Sequence, residues 1–107
     1  MAQITAKTKI ENYTSSEPSI SYGGRDVSLT VYINDDYLEL NVELGWDGAR
    51  DEVEIESINA KCYDADNKTL DTSSMDLEAL VIEIFDKHNT FGWAEAAMLE
   101  AYHNDHA

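Results

Sequence analysis

The chain reads as an α+β domain: an antiparallel β-meander of four to five strands, followed by two C-terminal helices packed on one sheet face. Three observations predict it. Apolar and polar residues alternate through residues 27–33 and 38–44, the period of a strand buried on one face. A short Asn-Asp-Asp turn separates these runs, which makes them a β-hairpin. From Ser73 onward the apolar spacing changes to that of an amphipathic helix.

Taken in order, residues 3–11 alternate, with Ile4, Ala6, Thr8 and Ile10 on one side, and predict a first strand. Residues 12–18 form a polar loop holding the only proline, Pro18. Residues 19–22 predict a short strand before the turn signal at 23–26. Val27, Leu29, Val31 and Ile33 then face inward, as do Leu38, Leu40, Val42 and Leu44 after the turn. Residues 45–51 read as a connection, with Gly45 and Gly48 free to take positive φ.

Val53 and Ile55 face inward next, but Ile58, Ala60 and Cys62 continue at the opposite parity. A β-bulge near Ser57 restores their facing. After the turn at 64–69, Leu70 adds a short edge strand. Leu77, Leu80, Val81, Ile84, Phe85 and His88 lie on one helical arc. Ser73 or Ser74 is the expected N-cap, with Asp76 and Glu78 suited to the helix dipole. Residues 88–92 break this helix, and 93–103 read as a second one rich in good helix formers. The 107 residues make a single domain, residues 1–107, with a meander over about 3–70 and a helical hairpin over about 74–103.

Charge sets the first functional limit. Acids number 22 against 7 bases, a formal charge of -15. A folded domain needs only roughly 2–8 charges for solubility. Such a surface repels nucleic acid and anionic lipid, and attracts cations and basic proteins. The opening residues lack the apolar core of a signal peptide, and no apolar run is long enough for a membrane span. With Cys62 as the only cysteine, a reducing, cytoplasmic setting is expected.

The acids are also patterned. If Leu38, Leu40, Val42 and Leu44 face the core, Glu39 and Glu43 face away. If Val53 and Ile55 face the core, Glu52, Glu54 and Glu56 face away. The two strands are antiparallel neighbours, so five glutamates share one outer sheet face. Asp47 and Asp51 extend it, and Trp46 is an expected aromatic anchor at its edge. Residues 26–56 hold ten acids and one base, Arg50. Like charges opposed across a sheet cost up to roughly 1 kcal/mol per pair. A tolerated cost of this kind points to a target: a basic groove that otherwise holds a phosphate backbone.

Residues 26–70, as an acidic meander, resemble small phage-encoded accessory proteins, and the overall charge is similar to that of DNA-mimic inhibitors. The resemblance implies a non-enzymatic protein acting in the host cytoplasm against a restriction, CRISPR or other nucleic-acid enzyme, with no cofactor. It rests on strand style and acidity, so no family residue carries over. DNA mimics often spread their acids along helices, whereas these lie on strands and turns.

Other constellations read as structural. Residues 64–76 open like a calcium loop, but Thr69 stands where glycine is needed and Met75 where a bidentate glutamate is needed. His103 and His106 belong to a fraying tail without further metal ligands. His88 suits the last turn of a helix, and Cys62 a small buried position. No phosphate loop, nucleophile elbow or metalloprotease motif is present. The second helix has Trp93, Ala96, Ala97 and Ala101 on one side and Met98, Leu99 and Tyr102 on another. A helix apolar on both sides is buried on both. Trp93, Met98, Leu99 and Tyr102 are therefore an expected homodimer or partner interface. That supports an alternative role as a structural or scaffolding subunit.

Overall fold

The computed structural model describes residues 8–106, and side chains as far as His103. Its six strands form one antiparallel sheet: β1 (Thr14–Ser15), β2 (Ser19–Ile20), β3 (Asp26–Ile33), β4 (Asp36–Asp47), β5 (Glu52–Tyr63) and β6 (Thr69–Leu70). Helices α1 (Leu77–His88) and α2 (Thr90–His106) follow. The order across the sheet is β1-β3-β4-β5-β6, with β2 on the same side of β3 as β1. This is the expected α+β architecture.

The alternating residues set the core. Val27, Leu29 and Val31 of β3 and Leu38, Leu40, Val42 and Leu44 of β4 are buried. They face Leu80, Val81, Ile84 and Phe85 of α1 and Ala94 of α2. The bulge in β5 is present. Glu43 pairs with Ser57 but Leu44 with Ile55, so Glu56 is the inserted residue. The insertion turns Ile58, Ala60 and Cys62 back toward the core. Burial raises the pKa of the Cys62 thiol and the nearby Asp36 charge adds to this, so the thiol stays protonated and unreactive.

Several boundaries differ from the expectation. The strand over 3–11 falls partly outside the described residues, and Thr8 makes only an isolated parallel bridge to Met75. β1 forms instead within the polar loop, where Ser16 N–H donates to Thr30 O and Thr30 N–H donates to Ser16 Oγ. Asp76, not Ser73 or Ser74, caps α1: its carboxylate accepts from Ala79 N–H at 3.2 Å. α1 ends on Asn89 in the left-handed region, φ 53°, and α2 starts at the next residue. Asn89 tolerates that conformation at small cost, so one residue suffices for the break. α2 runs on to His106, through the stretch expected to fray.

A polar cluster ties the segment after Thr8 to α1. Tyr13 Oη donates to Glu83 Oε1 at 2.8 Å, Lys9 Nζ lies 3.9 Å from Glu83 Oε2, and Lys87 sits over the Tyr13 ring. Burial first, then the Glu83 hydrogen bond and charge, push the Tyr13 pKa from 10.0 up to about 12. A raised folded pKa means the contribution is whole below pH 10 and is lost as pH climbs through 12. Wild type is expected to exceed Tyr13→Phe by about 1 kcal/mol near neutrality, a figure discounted for solvent screening. Urea titrations across the alkaline range should show that gap closing.

One edge of the sheet has no described strand along most of its length. β6 pairs only with Cys62 and Tyr63, so from Glu52 to Lys61 no described strand lies on the second side of β5. No helix among the described residues is long and apolar enough to cross a membrane.

Candidate binding face and its neighbours

Sheet register decides where each acid lies. The outer face carries cross-strand rows: Asp26–Glu43–Ser57, Ser28–Asn41–Asn59, Thr30–Glu39–Lys61 and Tyr32–Tyr37–Tyr63. Beyond the bulge, Gly45 pairs with Glu54 and Asp47 with Glu52. Glu39, Glu43, Glu52, Glu54 and Glu56 are all exposed on this face. The structure thus brings the five glutamates together, but not as a uniform array.

The bulge offsets the acids. Glu43 lies opposite Ser57, and Glu54 opposite Gly45, so no glutamate of β4 faces one of β5 directly. Glu56 lays its side chain over Gly45, in the space a Cβ there would claim. This is why β4 tolerates a glycine in mid-strand and continues through it to Asp47. The like-charge cost is confined to Asp26 against Glu43 and Asp47 against Glu52.

A base pairs with Glu52, and another faces Glu39 across the sheet. Lys61 stands directly across from Glu39. Arg50 Nη1 lies 3.7 Å from Glu52 Oε1, and its Nε 3.9 Å from Asp47 Oδ2. Asp47 also accepts from the backbone of Ala49 at 3.0 Å, so its carboxylate closes the β4–β5 turn. Asp51 completes that turn at φ 56°. Among the described residues no base lies within ion-pair distance of Glu43, Glu54 or Glu56. Those three, with Asp26, form the uncompensated acidic end of the face.

Asp26 was missing from the sequence reading, although its parity matches Ser28 and Thr30 on β3. The middle of the face is close to neutral. There an open trough of about 730 Å³ is lined by Ser16, Glu17, Ser28, Thr30, Glu39, Asn41, Asn59 and Lys61. At its far end Tyr37 and Tyr63 stack with ring centroids 5.1 Å apart.

Trp46 does not sit on the acidic face. Continued pairing beyond Leu44 gives it the inward parity, opposite Val53. It lines an apolar cleft of about 370 Å³ with Arg25, Met98, Leu99 and Tyr102. The expected interface on α2 also divides. Met98, Leu99 and Tyr102 border that cleft, whereas Trp93 lies on the opposite side of the helix, near Pro18, Ile20 and His88. α2 buries one side, centred on Ala94, and leaves Trp93, Leu99 and Tyr102 exposed. His88 is exposed rather than central to the buried arc.

The loop at 64–76 is occupied by its own backbone. Asp64 Oδ1 accepts from Asp66 and Lys68 N–H, both at 2.9 Å, with Asn67 at φ 63°. Among the described residues no group of His, Cys, Asp and Glu has the arrangement of a metal site. No protein-family model, curated protein or solved structure matches the chain.

Proposed function

We propose that the protein is a non-enzymatic inhibitor that docks on a basic, nucleic-acid-binding surface of another protein through the acidic end of its outer sheet face. The observation that carries this reading is the placement of Glu43, Glu54 and Glu56. They are exposed on a rigid strand pair, with no base in ion-pair reach among the described residues. Carboxylates presented from a rigid sheet form charge-assisted bonds to Arg and Lys without an ordering cost in the backbone. Glu52, Asp47 and Asp51 border the patch, and Glu39 joins it at the neutral end. A host-defence or DNA-processing protein in the cytoplasm, as in the phage-type resemblance, is the partner this chemistry suits.

The test is capture from bacterial lysate in about 50 mM and about 200 mM salt, with duplex DNA as competitor. Capture of a nucleic-acid-binding protein is expected at low salt, displaced by DNA. The variant Glu52→Gln, Glu54→Gln, Glu56→Gln should lose it, by a factor of about 10 or more, while its thermal stability holds or rises. Retention of the same protein by the triple variant, or indifference to DNA, contradicts the proposal.

A further inference from the structure

A second surface lies on the other side of the sheet. Glu95, Met98, Leu99 and Tyr102 stand at i, i+3, i+4 and i+7, one continuous stripe along α2. Beside it on the sheet are Trp46 and Arg25, which close the apolar cleft. Trp46 is 38% exposed, Leu99 46% and Tyr102 60%. This is a mixture of aromatic, aliphatic and Arg side chains of the kind that carries binding energy at interfaces. Neither Arg25 nor Glu95 has an ion-pair partner among the described residues.

We infer that this stripe is a two-fold interface with a second copy of the chain, in which Arg25 of each copy pairs with Glu95 of the other. The geometry follows from the helix. Glu95 and Tyr102 are about 10.5 Å apart along the axis, with Met98 and Leu99 between them. Two antiparallel copies of α2, related by an axis near Met98 and Leu99, bring Glu95 of one beside Tyr102 of the other. Arg25 borders Tyr102 through the cleft. The contact is therefore self-complementary twice over, as a two-fold interface must be. The apolar centre, Leu99 with Met98, meets its own image.

Like charge does not forbid the pairing. The cleft residues include no carboxylate. Most of the acidic sheet face lies behind the stripe, across roughly 10 Å of packed layer in each copy; Glu52 is the exception and lines a shallow depression with Glu95. Two such faces are then roughly 20 Å or more apart, over twice the Debye length of about 8 Å at physiological salt. Each copy keeps its acidic end open, so the dimer presents two of them. This interface does not rest on the function proposed above; Glu52, which borders Glu95, is the one acid of that patch beside it.

Sedimentation equilibrium from about 1 to 100 µM is the measurement, a range set by the micromolar affinity of modest interfaces. The wild type is expected at twice its 12.0 kDa. Arg25→Glu and Glu95→Arg should each raise the dissociation constant by about tenfold or more, and the double exchange should restore the dimer. Leu99→Asp should give a monomer with an unchanged circular dichroism spectrum, and Trp93→Ala should leave the dimer intact. A monomeric wild type overturns the inference, whatever other partner the stripe then binds. So does a double exchange that fails to restore association, or a dimer broken by Trp93→Ala and not by Leu99→Asp. A protein that is monomeric yet captured through its acidic end separates this failure from that of the proposed function.

Discussion

Replacing Phe85 by alanine is expected to lower the unfolding free energy by about 3–5 kcal/mol. Phe85 is fully buried and is the largest side chain in the interior. It projects from α1 toward the sheet and meets the Phe91 ring edge-on, with centroids 5.1 Å apart. Phe91 belongs to α2, so one side chain joins both helices to the strands. Removing it deletes the transferred apolar surface and leaves a cavity that the rigid sheet cannot close. A domain of this size has about 5–15 kcal/mol in all, so much of the margin goes. In urea the midpoint should fall by roughly 2 M, taking a denaturant slope of about 2 kcal/mol per M. Ile82→Ala, on the solvent side of the same helix, should change stability by no more than about 0.5 kcal/mol. A Phe85→Ala loss below about 1 kcal/mol contradicts the packing described.

Gly24→Ala is expected to cost about 3 kcal/mol, although the added group is one methyl. Two effects combine. Gly24 lies at φ 73°, where a side chain is strained. A Cβ there would also run into the Ala94 carbonyl oxygen and the Ala97 methyl of α2. Those are backbone and short-chain atoms that cannot swing aside. The neighbouring Gly23 supplies the control. It has φ 89° but open space around it, so Gly23→Ala should cost only the backbone strain, about 1 kcal/mol. The difference between the two variants, read from thermal or urea unfolding, isolates the close approach of the β2–β3 turn to α2. Equal losses would show that the turn does not rest on the helix.

The central strands were legible because their side chains alternate and one face must be buried. The same logic found the bulge, since Ile58, Ala60 and Cys62 could not otherwise reach the core. What escaped was structure defined by the backbone alone. β1 is made of Thr14 and Ser15, whose polar side chains give no period, and exists because Tyr32 and Val31 present partners for it. The cap at Asp76 was hidden by two serines that are equally good candidates on local grounds. Trp46 was expected at the edge of the acidic face, rather than inward, for a different reason. Gly45 suggested a turn, but the Glu56 side chain fills the space above it and the strand runs on. Of the acidic face, the membership of the five glutamates could be read from parity. The placement of Lys61 opposite Glu39 could not, because cross-strand register depends on the position of the bulge.

The bare flank of β5 has a consequence for handling the protein. A long flank of unanswered amide and carbonyl groups invites strand-on-strand stacking, and no described strand pairs with it between Glu52 and Lys61. Ionised Glu52, Glu54 and Glu56 are the guard. Near the isoelectric point, about 4.2, mutual repulsion fades and those hydrogen-bonding groups become adhesive. Mild acid should therefore turn a dispersed solute into fibrous precipitate, before it unfolds the helices.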